Sequence, residues 1–205
     1  MTQTTQTTQS ATGPKSARDW VSVLAHYREP NEWRSFFELG VSIVPFFLLW
    51  GLAWWALSYS YLLTLAISVV NAAFLLRMFT IQHDCGHGSL FRNRVLSDWI
   101  GRVIRVFTLT PYDVWRRTHS VHHSAAGNLA KRGMGDVHTL TVAEYKSRSW
   151  IHRMRYRLYR HPFTLFVLGP GYLFFLQNRI PLGLMSTVKY WVSAMATNLA
   201  IVTAL

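Results

Sequence analysis

Two long apolar runs dominate the hydropathy pattern of this 205-residue chain. The first covers residues 40–56 without a charged side chain, and the second covers residues 61–76, after a short polar interval around Ser58. A helix needs about 20 apolar residues to cross a hydrocarbon core of about 30 Å, and each run is close to this length. The pattern therefore predicts two membrane-spanning helices joined by a tight hairpin.

A third helix is predicted by the spacing of apolar residues farther along the chain. Between residues 94 and 107, apolar side chains recur at steps of three and four, while charged residues such as Asp98 and Arg102 occupy other positions. This periodicity is typical of an amphipathic helix. Its apolar face would either lie at the headgroup boundary or pack on the spanning helices, and the sequence leaves both possibilities open.

Further apolar segments follow at residues 163–176 and 190–205. Gly169, Pro170 and Gly171 interrupt the first of them, which predicts a kinked span, a re-entrant segment or an interfacial one. The second is still apolar at Leu205, so we expect that the chain is truncated there. Together these elements predict an all-α integral membrane protein, in which a transmembrane hairpin is followed by interfacial or cytoplasmic helices and further apolar segments.

The distribution of charge indicates how such a protein would sit in the cell membrane. Basic residues flank the two long runs on their outer sides, and the hairpin tip has none, which predicts that both ends are cytoplasmic. The net charge of +12 would also suit a nucleic-acid-binding protein. The neighbouring apolar runs instead favour a cationic surface, centred on residues 146–161, that meets anionic lipid headgroups or an acidic electron donor.

Cysteine content and the N-terminal composition add two expectations. The single cysteine, Cys85, excludes an intrachain disulfide and a multi-cysteine zinc site, and we interpret it as a packing residue. Residues 1–19 are polar, rich in Thr and Gln, and lack the apolar core of a signal peptide. We expect residues 1–35 to form a disordered tail and lead-in, and residues 36–205 to form the membrane domain.

Histidines supply the candidate chemistry, since five of the nine fall into two tight groups. His83 and His87 form the first group, and His119, His122 and His123 form the second. On a helix, positions three or four apart share one face, so each group would present its imidazoles as one patch, and two patches would make a metal cradle. We interpret the remaining four as ordinary core or surface residues: His26, His138, His152 and His161.

The composition of the histidine groups narrows the choice of metal site without selecting the metal. Imidazole binds zinc, copper, iron and nickel. Five histidines exceed the three protein ligands usual for catalytic zinc, and no H-E-x-x-H pattern is present, so a two-metal site is favoured. Asp84 and Asp136 are candidates to accept the second ring N–H of a ligating histidine, with capping, turn or salt-bridge roles as alternatives.

The two histidine groups and their flanking residues resemble those of a known family. The stretch QHDCGHGSLF resembles the first histidine box of the membrane fatty acid desaturases, and WRRTHSVHHSAAGNL resembles their second, H-x-x-H-H. GDVHTLTVAEY and RHPFTLFVLGPGYLFF are similar to later segments of bacterial members related to the Δ12 (omega-6) type. The resemblance covers roughly residues 35–205. It implies a membrane-bound enzyme whose histidines hold two non-haem irons at the cytoplasmic side of the membrane.

The resemblance also implies a reaction and its partners. Two ferrous ions would reduce O₂, two hydrogens would be removed from an acyl chain of a membrane lipid, and a cis double bond would form, with electrons from ferredoxin or a similar carrier. The family has a third H-x-x-H-H box that this sequence lacks, so we expect an incomplete metal site and an inactive chain. An acyl hydroxylase of the same family, a non-enzymatic membrane fragment and a zinc or copper carrier stay open as alternatives.

Overall fold

The computed structural model describes residues 16–25, 27, 29–133 and 135–204. Residues 1–15 of the predicted tail, together with His26 and Arg28, lie outside these residues. All regular structure within them is helical, and no strand occurs there. The α-helices are α1 (Ala17–Ala25), α2 (Glu32–Ala56), α3 (Tyr61–His87), α4 (Arg94–Phe107), α5 (Tyr112–Ala125), α6 (Val142–Ser147), α7 (Trp150–Tyr159), α8 (Gly169–Phe175) and α9 (Val188–Ala204).

The two predicted spans form the antiparallel hairpin α2–α3. Polar caps define where each helix begins: the Asn31 side chain accepts from the Arg34 N–H, and the Ser60 hydroxyl accepts from the Leu63 N–H. Both helices are long and apolar enough to cross a membrane, and only 17% and 6% of their most apolar windows are buried by the rest of the chain. Such exposed apolar surface is suited to lipid, and the predicted hairpin is confirmed.

One face of the C-terminal half of α3 forms the core of the described structure. Met78, Ile81 and Cys85 are buried there against Phe46 of α2 and Ile104 of α4. Burying each large apolar side chain contributes about 1.5–3 kcal/mol relative to leaving it exposed. Cys85 is fully buried, in agreement with its interpretation as a packing residue. The core therefore fixes the rotation of α3 about its own axis, and with it the direction of every other side chain on that helix.

Helix α4 packs on the spanning helices with only part of its apolar face. Along one edge, Gly101 and Ile104 are buried against the neighbouring helices. Along the other edge, Val95, Trp99 and Val103 are each at least 60% exposed. The wide apolar arc of α4 thus packs on the helix bundle with one half and leaves an apolar stripe uncovered with the other.

Polar contacts fasten α5 to both α4 and α9. The Arg102 guanidinium donates to the Asp113 carboxylate at 2.9 and 3.2 Å, and the Asp113 N–H donates to the Ser193 hydroxyl of α9. Burial alone would raise the pKa of Asp113, but the hydrogen bond and charge of Arg102, with smaller contributions from Lys189 and Ser193, together hold that pKa below its ordinary value. These contacts fix the position of α5, which carries the second histidine group.

Toward the C-terminus the interrupted apolar segment is helical on both sides of Gly169, and its placement as a kinked span, a re-entrant segment or an interfacial one stays a prediction. A π-helical turn at Thr164–Leu168 runs directly into α8, whose second residue is Pro170. Phe166 and Phe175 are exposed along this segment. Its apolar surface is therefore not part of the core formed by α2, α3 and α4.

Candidate metal centre

The first histidine pair lies on the last two turns of α3. The helix ends at His87 because Gly88 adopts a left-handed conformation with φ of 72°, which glycine tolerates best. Since Cys85 and Gln82 are turned into the core, His83 and His87, four residues apart, occupy the opposite, more open face. The end of a long apolar helix thus presents two imidazoles side by side.

The second group meets this pair from α5. His119 and His123 are also four residues apart, and their rings face the α3 pair. The Nε2 atom of His87 lies 3.3 Å from that of His83 and 3.2 Å from that of His119, whose Nε2 atom is 3.0 Å from that of His123. One ring nitrogen from each of these four side chains lies within 4.8 Å of all the others. The structure thus brings four of the five predicted histidines together.

These distances fit coordination of a shared cation better than hydrogen bonding. At metal–nitrogen distances of about 2.0–2.1 Å, neighbouring ligands are roughly 2.8–3.0 Å apart around an octahedral ion and roughly 3.3–3.4 Å apart around a tetrahedral one. The observed contacts of 3.0–3.3 Å lie within this span. A neutral imidazole has only one donor and one acceptor nitrogen. The Nε2 atoms of His87 and His119 each contact two other Nε2 atoms, so hydrogen bonds cannot satisfy every contact in the cluster.

The electrostatic environment keeps the central imidazole ready to bind a metal. Burial, followed by the proximity of the imidazoles of His83, His123, His87 and His122, lowers the pKa of His119 to about 4. His119 is therefore neutral at physiological pH. Metal ligation requires the neutral ring with a free lone pair, so no proton has to be displaced from this residue before a cation binds.

His122, the fifth predicted histidine, lies beside the cluster rather than within it. Its ring centroid is 5.9 Å from that of His119, and its Nδ1 atom is 2.5 Å from Oδ1 of Asp136. Gly135, with φ of 79°, allows this approach, because a Cβ atom there would lie only 3.2 Å from the His122 Cβ. The Nδ1 contact leaves Nε2 of His122 as the nitrogen free for another partner.

The two predicted carboxylates differ in their contacts with the histidines. Asp136 makes the short contact to His122, whereas Asp84 lies 3.3 Å from Nδ1 of His83 and is substantially exposed. Of the other histidines, His152 pairs with the Ser149 hydroxyl at 2.8 Å and takes no part in the cluster. The structure therefore gives Asp136 the closer position for orienting an imidazole.

Sequence reasoning missed two residues that shape the cluster, Trp115 and Gly86. The Trp115 ring stacks on the His119 ring, with centroids 4.6 Å apart and an interplanar angle of 14°. A Cβ atom on Gly86 would lie 2.7 Å from the Trp115 ring, so α3 and the indole approach this closely only because residue 86 is glycine. Trp115 precedes His119 by one helical turn, and this spacing was the available signal.

A pocket of about 480 Å³ opens beside the clustered imidazoles. Arg116 on its wall is held by Asp98 at 3.0 Å. Arg117 and Lys189 make no ion pair among the described residues, so the pocket carries free positive charge. Its other lining residues are Gly86, His87, Asp113, Trp115, His119, Ser120, His123 and Tyr190.

Comparison with known proteins agrees with this geometry. The fatty acid desaturase family model matches residues 53–205. A "Fatty acid desaturase" of Bacillus subtilis (strain 168) is 45% identical over 180 residues, which are 87% of this chain and 51% of that protein. The "sn-1 oleoyl-lipid 12-desaturase" of Arthrospira platensis is 25% identical over 182 residues, which are 75% of this chain and 48% of that protein.

A plant relative shares a shorter region. The "sn-2 acyl-lipid omega-3 desaturase (ferredoxin), chloroplastic" of Helianthus annuus is 36% identical over 105 residues, covering 51% of this chain and 22% of that protein. The matched region thus spans about half the length of these two bacterial relatives and about a fifth of the length of the plant relative. No solved structure matches it. On the match over residues 53–205 and the identity to the Bacillus protein, this chain belongs to the fatty acid desaturase family.

Proposed function

We propose that this chain supplies the membrane hairpin and the first two histidine groups of an oxidoreductase that inserts a cis double bond into an acyl chain of a membrane lipid. The convergence of four imidazole nitrogens within 4.8 Å at the end of an apolar helix carries this proposal. Membership of the desaturase family supports the reaction class. The basic residues flanking the spans support a cytoplasmic location for the site.

The proposed cofactor is a pair of non-haem irons. Successive Nε2 atoms of His83, His87, His119 and His123 are 3.0–3.3 Å apart, close enough for neighbouring ligands of an ion, and His122 would turn its free Nε2 atom toward a second ion. In two-metal sites the ions are about 3.5–4 Å apart. Five imidazoles are too few for two iron ions of the usual higher coordination number. We therefore propose that further histidines, of the family's third-box type, complete the site and that these residues alone do not turn over.

Each turnover would take two hydrogens from adjacent methylenes, two electrons from a donor and two protons from solvent, and would convert O₂ into two waters. Bound iron would supply the redox chemistry of this reaction. The chain's own residues hold and orient the site. Asp136 accepts the Nδ1 proton of His122 and fixes its tautomer, and Trp115 restrains the His119 ring. A ferredoxin-like donor is the proposed electron source, and its acidic surface suits the free cations Arg117 and Lys189.

Expression of this chain within a full-length desaturase that supplies the third histidine group, in a host without an endogenous desaturase, tests the proposed function. Lipid acyl chains should gain a cis double bond, the purified protein should contain iron and consume O₂, and this chain expressed alone should give no double bond. His119→Ala should abolish both signals, whereas His152→Ala, outside the cluster, should preserve them. An oxygenated acyl chain without a new double bond would instead indicate a hydroxylase. Zinc alone, without O₂ consumption, would contradict the di-iron proposal.

A further inference from the structure

Helix α7, which follows the clustered histidines in the sequence, presents an exposed apolar surface. Trp150, Met154 and Leu158 recur every fourth residue, with Ile151 beside them, and all four side chains are exposed. This arrangement forms one apolar stripe along the helix. The stripe is the feature that needs a partner, because exposed apolar surface of this kind is typical of interaction sites.

The opposite side of α7 already has its partners within the chain. The Tyr156 hydroxyl accepts from the Leu140 N–H at 3.1 Å, and the Tyr159 hydroxyl accepts from the His138 N–H at 3.0 Å. These bonds fasten α7 to the segment that precedes it. The helix therefore has a defined orientation, with the tyrosines inward and the apolar stripe outward.

The charge around the stripe is positive and largely unpaired. Arg155 and Arg157 lie on either side of it, and Arg157 also donates to the Tyr145 hydroxyl at 2.6 Å. The side chains of Arg153, Arg155 and Arg160 have no hydrogen bond or ion pair within the described part of the chain. Between Glu144 and residue 161 the sequence has no acidic residue, so α7 itself carries no carboxylate that could neutralise them.

We propose that α7 lies on the membrane surface and docks on anionic lipid headgroups, with its apolar stripe in the headgroup boundary and its arginines on the phosphates. Helices with a central apolar stripe and basic flanks bind this interface, tryptophan prefers it, and guanidinium groups match phosphate geometry. The apolar stripe favours lipid over an acidic protein, whose carboxylates would have to face the tryptophan and leucine. The proposal rests on the membrane insertion of the hairpin and on no part of the metal chemistry.

The single cysteine permits a site-specific test in the intact chain. In a Cys85→Ala background, Met154→Cys places an environment-sensitive fluorophore on the stripe, and His152→Cys places the same label at an exposed position on the opposite side of α7, which also carries Tyr156 and Tyr159. Each protein is reconstituted into phosphatidylcholine vesicles with and without phosphatidylglycerol. Circular dichroism checks that each variant keeps its helix content, and Leu158→Cys replaces Met154→Cys if that variant does not fold.

With phosphatidylglycerol present, the label on the stripe should be quenched by lipids carrying a shallow nitroxide and protected from aqueous iodide. The label at residue 152 should stay accessible to iodide. Molar salt should release the stripe, because the screening length falls from about 10 Å at 0.1 M to about 3 Å at 1 M. Replacing Arg153, Arg155 and Arg160 by Gln should lower the ratio of docked to undocked helix roughly fivefold for each arginine.

Three results would overturn the proposal. The stripe label could stay accessible to iodide in both kinds of vesicle. The stripe label could be protected equally in vesicles without phosphatidylglycerol and stay protected after the arginine replacements, which would show that anionic headgroups do not cause its burial. Polyglutamate added to phosphatidylcholine vesicles could protect the label when phosphatidylglycerol does not, which would identify an acidic protein surface as the partner. A separate measurement, binding of Co²⁺ by the purified chain, tests the histidine cluster, and its failure would contradict the proposed function but not the docking of α7.

Discussion

A methyl group added at Gly86 tests whether the packing of Trp115 maintains the histidine cluster. In Gly86→Ala the new Cβ atom would lie 2.7 Å from Cζ3 and 3.3 Å from Cη2 of the indole. Carbon atoms in favourable contact are about 3.5–4.0 Å apart, so the indole must move by roughly 1 Å. The movement would disturb the stack between Trp115 and His119, whose centroids are 4.6 Å apart.

The effect on metal binding should exceed the effect on stability. An alanine in a helix interior is favoured over glycine by about 0.5–1 kcal/mol, whereas overpacking costs about 1–3 kcal/mol, so the two terms partly cancel. Losing the support of a ligating histidine typically lowers metal affinity by about 10–100-fold. We expect Gly86→Ala to lower Co²⁺ affinity at least about tenfold while leaving the helix content nearly unchanged.

Titration of the detergent-purified chain with Co²⁺, followed by the visible absorption of the bound ion, measures this loss. Gly51→Ala is the matched control, because it also adds a methyl to a long helix, yet no atom lies within 4 Å of its Cβ position. That control should bind Co²⁺ as the unmodified chain does. If Gly86→Ala keeps the affinity and the absorption spectrum of the unmodified chain, Trp115 does not restrain His119 and the packing argument fails.

Three further predictions concern single side chains. Asp136→Asn should weaken binding of the first Co²⁺ no more than His122→Ala does, because Asp136 acts through His122, which lies outside the four-histidine cluster; a larger loss in the same titration would contradict this placement. His119→Ala should abolish binding of the first Co²⁺, because His119 lies at the centre of the cluster, whereas His122→Ala should weaken this binding only slightly. The number of Co²⁺ ions bound per chain, measured for each variant, will test this. Because the pKa of Asp113 is depressed in the folded state, its ionised carboxylate stabilises the fold at pH values above about 4, the pKa of an aspartate in the unfolded chain. This stabilisation is lost as the pH falls through the lower pKa of the folded state. In Asp113→Asn the stability should therefore depend less on pH below about pH 4, as acid unfolding followed by circular dichroism will measure.

The features that follow from one helix alone were predictable from the sequence. The spans follow from two charge-free runs, and the pairing of His83 with His87 follows from their four-residue spacing. The position of His122 was not predictable in this way. It lies on the same side of α5 as His119, but α3 approaches over His119 and His123, so His122 is left beside the cluster, where Asp136 contacts it. Which members of a patch converge depends on how two helices cross.

Contacts between helices explain the other differences. Gly86 is an unremarkable residue within its own helix, and its importance becomes visible only when the Trp115 ring is placed against it. The apolar arc of α4 likewise contains no signal for its division into a buried edge and an exposed one, because Tyr112 of α5 and the end of α3 cover only one side. Such contacts join residues far apart in sequence, and no periodicity within one segment encodes them.

The length of α3 connects the membrane span to the candidate metal centre. Its 27 residues, at about 1.5 Å per residue, extend for roughly 40 Å, whereas the hydrocarbon core is about 30 Å thick. About two turns therefore project beyond the hydrocarbon if the helix stands upright, and His83 and His87 lie on those turns. The same continuous helix that contacts lipid tails thus holds two imidazoles at the level of the headgroups. This geometry would place the proposed metal centre where an acyl chain, dissolved O₂ and a water-soluble electron donor can all reach it, as the proposed function requires.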